Sequence, residues 1–225
     1  MGGMVPLSDA SRRPSRFSLV TTALIVVNVL VFLQELMGGD NFIKQWSVIP
    51  SDIVAGRHWV TIFTAMFMHG GWLHIIGNMV FLWAFGPEVE EAMGRLRYLI
   101  FYLLSGVVAL VAQIAAMPSS TVPNLGASGA IAGVMGAFLI TYPHDRIKTL
   151  MLLGLFTRVT MIPAALLIGL WFLVQLFNGV GAVAEVQTGG VAYMAHVGGF
   201  VFGALTGRLF EGPLHSARRK YWPAD

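Results

Sequence analysis

The chain has 225 residues, 56% of them hydrophobic and 11% charged, less than half of the roughly 25% charged share of an average soluble domain. It has no cysteine, which excludes disulfides, thiol nucleophiles and zinc–thiolate centres and leaves the redox compartment unread. The net charge of +3 is dispersed over several loops rather than clustered on one face, so no nucleic-acid partner is expected.

A hydrocarbon core about 30 Å thick takes about 20 apolar residues per helix. Six runs approach that length: Phe17–Met37, Trp72–Phe85, Tyr98–Met117, Leu125–Tyr142, Val159–Phe177 and Val191–Phe210. The second is the shortest. The first is too long for a signal-peptide core and has no small-x-small cleavage site behind it, so it reads as a retained anchor. The expected organisation is a polar cytoplasmic tail over residues 1–16, a six-helix membrane domain over 17–211 and a basic cytoplasmic tail over 212–225. Twelve of the fourteen Lys and Arg residues flank one set of span ends, and only Lys44 and Arg57 fall on the other. By the positive-inside rule both termini are cytoplasmic, and the second, fourth and sixth spans run inward from the outside. The predicted fold is all-α and polytopic, with membrane lipid as solvent.

Polar groups inside a bilayer are costly, so those that persist are candidates for function. His74 and Asn78 lie in the second span, Ser128 in the fourth and His196 in the sixth, each within the first two turns after entry from outside. Three helices thus bring their unusual groups to one depth. His74 and Asn78 are four residues apart and share a helix face. Ser128 sits in the small-residue stretch Gly126-Ala127-Ser128-Gly129-Ala130, and in the sixth span Ala195, Gly199, Gly203 and Gly207 recur every four residues. Such stripes let helices pack closely, which would bring Ser128 to His196. A serine becomes a nucleophile when an adjacent base takes its proton, and histidine suits that task. No acidic residue falls in the outer halves of the second, fourth or sixth spans, so a Ser–His dyad is the simplest arrangement. His74, Asn78 and the Ser128 N–H are candidate oxyanion donors. No metal or cofactor is expected. A transporter would want broken helices at the midplane and a haem protein facing histidines, and neither calls for the serine.

The segment His69-Gly70-Gly71-Trp72-Leu73-His74-Ile75-Ile76-Gly77-Asn78, together with Gly126-Ala127-Ser128-Gly129 and Ala195-His196-Val197-Gly198-Gly199, resembles the motifs of the rhomboid intramembrane proteases. The resemblance runs from Phe17 to about Phe210 and implies a six-transmembrane-helix rhomboid-like bundle. It implies Ser128 as nucleophile, His196 as general base, and His74 and Asn78 as oxyanion stabilisers, with single-pass transmembrane proteins as substrates, cut near the outer face. Glu90 and Gly94 match a Glu-x-x-x-Gly signal of structural character, and His69 a position that packs a loop. A bacterial-type cytoplasmic membrane is the expected location. The alternative within the family is a catalytically silent relative that binds membrane clients. Two departures stand out: Ala132 where many members stack an aromatic on the catalytic histidine, and Arg57-His58-Trp59 where the first external loop often carries Trp-Arg. The glycine-flanked stretch Gly179–Gly190 is expected to be a loop above the site, serving as a lid.

Overall fold

The computed structural model describes residues 3–12, 14–153, 156–185 and 192–213. The chain runs β1 (Gly3–Asp9), α1 (Leu19–Trp46), α2 (Pro50–Val54), α3 (Thr61–Thr64), a 3-10 turn (Ala65–Phe67), α4 (Trp72–Met93), α5 (Arg95–Ala116), α6 (Ser128–Thr141), β2 (Arg146–Leu153), β3 (Phe156–Pro163), α7 (Ala164–Glu185) and α8 (Tyr193–Phe210). Among the described residues, each apolar run read from sequence overlaps a long helix, α1 or one of α4 to α8, with shifted ends.

By length and apolarity α1 and α5 can each cross a membrane, and a third span arises if α3 with its following turn and α4, bent by 88°, count as one. α6 has 14 residues, about 21 Å at 1.5 Å per residue, short of a full hydrocarbon core. It lies at the centre of the bundle, with every residue from Gly129 to Phe138 buried, so neighbouring helices rather than lipid surround it. A helix apolar on all sides belongs in such a place.

The tightest packing is between α6 and α8. A methyl group added at Gly199 or Gly203 would collide with the carbonyl oxygens of Gly129 and Gly133, and one at Gly136 with that of Phe200. The two helices therefore touch backbone to backbone along three turns, as the glycine stripe predicts. Glu90 of α4 reaches the start of α1, where its carboxylate accepts hydrogen bonds from Val20 N (3.0 Å), Thr21 N (2.8 Å) and Thr21 Oγ1 (2.8 Å). It fills the role of an N-cap supplied by another helix, satisfying donors that a helix start leaves without partners. Gly94, at φ 81°, turns the chain from α4 into α5 in a backbone region that favours glycine. Glu90 and Gly94 thus join α4 to the start of α1 and to α5.

Three expectations change. α1 continues beyond Met37 to Trp46, across a kink at Gly39 (φ 59°, ψ −154°). The run from Val159 is not helical at its start, because Val159–Pro163 belongs to β3, which pairs antiparallel with β2. That segment holds the β-branched Val159, Thr160 and Ile162 before Pro163, and a short apolar run does not by itself separate strand from helix. The expected tail 1–16 supplies β1, which pairs with β2 from Gly3↔Leu152 to Asp9↔Ile147 and completes a sheet in the order β1-β2-β3. The sheet follows the C-terminal end of α6, so it stands at the end of the bundle away from Ser128. Arg12 fastens it there, with its guanidinium paired to Asp145 and stacked 4.6 Å above the Tyr142 ring. Asp9 accepts from Ser11 N at 2.7 Å. Burial first, and then the neighbouring Asp145, push its carboxyl up to about 6.

The lid expectation also changes. α7 keeps Gly179 helical and runs through Glu185, so the first supposed hinge is inside a helix; the remaining residues, 186–190, lie outside the described residues.

Candidate active site

Ser128 is the first residue of α6 and His196 the fourth of α8. The glycine contacts that close these helices on each other bring His196 Nε2 to 2.7 Å from Ser128 Oγ. His196 is buried, at 7% exposure. Its other ring nitrogen, Nδ1, lies 2.7 Å from Gln175 Oε1 on α7. An amide oxygen only accepts, so Nδ1 carries the proton and donates to Gln175, which leaves the Nε2 lone pair to accept the Ser128 hydroxyl hydrogen. That is the tautomer a general base needs. Two further rings bound the imidazole: Trp171 of α7 at 5.8 Å between centroids, tilted by 37°, and Tyr193 of α8 at 6.4 Å, edge-on. Ala132, fully buried in α6, supplies no ring, and these contacts take the place of the missing aromatic.

His74 comes to the same place from α4, with Asn78 one turn further along that helix. His74 Nδ1 accepts from Gly70 N at 3.3 Å, so the neutral ring carries its proton on Nε2. Nε2 faces the start of α6: a methyl group built at Gly126 would stand 3.0 Å from it and 3.4 Å from Ser128 Oγ. A slot about one carbon wide therefore separates the His74 donor from the serine hydroxyl. Gly126, at φ 137°, adopts a conformation other residues rarely do, and its lack of a side chain keeps the slot open. Asn78 is 8% exposed and its Nδ2 has no hydrogen-bond partner. A buried amide donor without a partner is costly. As the first helical residue, Ser128 also has an N–H without an acceptor in its own helix, at the positive end of the α6 dipole. A small cavity opens beside Ser128, lined among others by Met66, Gly106, Ala109, Leu110 and Ala195.

Ser128, His196 and His74 thus meet, with Asn78 one turn beyond His74 on α4, while three residues that hold them were overlooked. Gln175 and Glu35 were legible as polar residues inside apolar runs, the signal that found His74. Glu35 of α1 is buried at 3% exposure, and its carboxylate accepts from His69 N at 2.9 and 3.0 Å. It thereby fixes the turn that precedes α4. Gln113 of α5 accepts from Ala195 N at 3.3 Å, next to His196. His69 packs as expected, its ring fully buried and edge-on to His74 at 5.1 Å. In the segment between α1 and α4 Arg57 pairs with Asp52 and Trp59 is exposed, so neither reaches the site.

A helical bundle of membrane-spanning character with a hydrogen-bonded serine and histidine at facing helix starts, and an imidazole donor opposite, defines the class of helical membrane proteins built around a Ser–His pair. The family profile described as Rhomboid domain matches residues 56–212, and the chain belongs to the rhomboid family. It is 29% identical over 206 residues to Rhomboid protein 1, mitochondrial, of Saccharomyces cerevisiae, covering 88% of this chain and 55% of that protein. It is 29% identical over 187 residues to Rhomboid protease GluP of Bacillus subtilis, covering 81% and 33%. To Rhomboid-like protein 11, chloroplastic, of Arabidopsis thaliana it is 32% identical over 161 residues, covering 69% and 55%. The chain spans about half or less of the length of these relatives. Family and apolar helices together make it an integral membrane protein.

Proposed function

We propose that this protein is an intramembrane serine endopeptidase, with Ser128 as nucleophile and His196 as base. The observation that carries the reading is the 2.7 Å hydrogen bond between His196 Nε2 and Ser128 Oγ. Neutral His196 takes the hydroxyl proton as Ser128 Oγ attacks the scissile carbonyl carbon, a step worth roughly 10²–10⁴-fold for a positioned base. The carbonyl oxygen, now negative, enters the slot lined by His74 Nε2–H, Asn78 Nδ2 and the Ser128 N–H, each donor worth roughly 10²–10³-fold. His196 then passes its proton to the leaving amine, and water hydrolyses the acyl–enzyme by the same route. A silent relative that only binds clients gains nothing from this hydrogen bond or from an unpaired donor held beside it.

The substrates are single-pass transmembrane proteins, cut near the outer face. Ser128, His74 and His196 all sit at the starts of their helices, opposite the β-sheet and the basic segments. With the termini cytoplasmic and six spans in a bacterial-type cytoplasmic membrane, that end faces outward. The membrane domain covers 17–211, between the N-terminal tail and the basic segment 212–225. A scissile peptide inside a helix is shielded by its own backbone, so glycine in the substrate favours cutting by easing unwinding. Alanine suits the small cavity beside Ser128. The test is labelling by a fluorophosphonate, which reacts with an activated serine. Folded protein in detergent should label at Ser128, and Ser128→Ala and His196→Ala should not. Absence of labelling in correctly folded protein would favour the silent relative.

A further inference from the structure

We propose that Gln175 is a positioning residue for the base: it selects the tautomer of His196 and aims its Nε2 at Ser128, so that α7 carries part of the catalytic apparatus without touching the substrate. The inference rests on the proteolytic reading above. A free imidazole places its proton on either nitrogen, and only the form with Nδ1–H has an Nε2 able to take the serine proton. The 2.7 Å contact from Nδ1 to Gln175 Oε1 fixes that form. Trp171 lies one turn earlier on the same face of α7 and leans on the ring. Two α7 side chains therefore brace one imidazole, where Ala132 of α6 is too short to reach.

The choice of an amide has a physical logic. In water-soluble triads a carboxylate orients the histidine and also stabilises its charged form. A carboxylate in a bundle enclosed by lipid carries a large desolvation cost, whereas an amide orients the ring and remains neutral. Among the described residues no carboxylate touches His196; the titratable groups about it are His74, across the site on α4, and Tyr193 on its own helix. The arrangement also ties the base to the seating of α7. That helix packs mainly along α8, and Leu170, Val174 and Phe177 on its other side are 47%, 54% and 74% exposed. An outward shift of α7 by about 1 Å would break the contact from Gln175 and release the imidazole.

The experiment compares wild type, Gln175→Leu, Gln175→Glu and Ser128→Ala on a single-span reporter in liposomes. Gln175→Leu fills similar space and accepts nothing, and should lower kcat by roughly 10–100-fold with KM within about twofold, the loss expected when a catalytic group drifts by about 1 Å. Gln175→Glu restores an acceptor and adds charge. It should keep kcat within a few-fold of wild type and move the acid limb of the kcat/KM profile to higher pH, because a carboxylate favours the imidazolium. A Gln175→Leu enzyme with wild-type kcat, beside an inactive Ser128→Ala, overturns the positioning role and leaves the nucleophile standing. Equal losses in both Gln175 variants with an unmoved acid limb overturn it too, since packing alone would produce that result. If Gln175→Leu does not fold, the acid limb of Gln175→Glu decides by itself. Cleavage that persists in Ser128→Ala removes the protease reading and this inference with it.

Discussion

Gly203→Ala tests whether the backbone contact between α6 and α8 sets the catalytic distance. The added Cβ would lie 2.6 Å from Gly133 C and 2.7 Å from Gly133 Cα, with the Gly133 oxygen nearer still. Ordinary van der Waals contact begins at 3.4 Å, so the helices must separate by about 1 Å, and no rotamer can absorb the shift because both sides are backbone. Transmitted to the helix starts, that separation stretches the Ser128–His196 hydrogen bond from 2.7 Å to about 3.7 Å, past the reach of proton transfer. A misplacement of this size costs on the order of 10²-fold in rate, and the overpacking costs about 1–3 kcal/mol of stability. Gly169→Ala is the matched control, since a Cβ there has nothing within 4 Å and gains helix propensity. Purified variants would be assayed for cleavage of a single-span reporter and for thermal unfolding in the same detergent. Gly203→Ala should fold, melt lower and lose about 100-fold in kcat, while Gly169→Ala should match wild type. A Gly203→Ala enzyme with unchanged kcat would refute the claim that this contact sets the site's geometry.

Asn78→Ala and His74→Ala should each lower kcat by roughly 10–1000-fold with KM little changed, the pattern of donors used only in the transition state, as steady-state kinetics on the same reporter would reveal. Glu35→Leu removes the acceptor for the buried His69 N–H and should cost about 1–3 kcal/mol, whereas Glu35→Gln keeps an oxygen there and should melt close to wild type; thermal unfolding compares them. The raised Asp9 carboxyl prefers its proton in the docked sheet. Its contribution to docking β1 is therefore complete below the usual value of 3.8 and lost as pH rises through about 6. Hydrogen exchange of the β1 amides should accordingly show weaker protection relative to β2 at pH 8 than at pH 4, after correction for intrinsic rates, and Asp9→Asn should remove most of that difference.

The sequence made the site legible for a reason particular to membranes. Lipid penalises polar groups so heavily that His74, Asn78, Ser128 and His196 stood out individually, and their common depth followed from counting turns from the span starts. The glycine stripe announced the α6–α8 contact because close backbone approach excludes larger side chains. What escaped notice was polar in a quieter way. Gln175 and Glu35 lie within long apolar runs that carry none of the three motifs, so an uncharged amide on α7 and a carboxylate on α1 went unread. The strands were hidden because the end of β3 merges with the apolar run from Val159, and the pairing of β2 with β1 joins residues more than 130 positions apart, a contact no local pattern encodes. The Gly179–Gly190 stretch shows the converse error: glycines at its ends suggested a hinge, yet α7 absorbs Gly179 into a helix packed against Tyr193 and Met194.

The central claim, that Ser128 and His196 act as one catalytic unit, is tested most directly by a double-mutant cycle. Wild type, Ser128→Ala, His196→Ala and the double variant would be reconstituted into liposomes with a single-span reporter, and cleavage quantified under single-turnover conditions. Each single change should abolish cleavage, and the double variant should be no slower than the singles, because members of one unit are strongly non-additive. Losses that multiply, or cleavage that survives Ser128→Ala, would contradict the account.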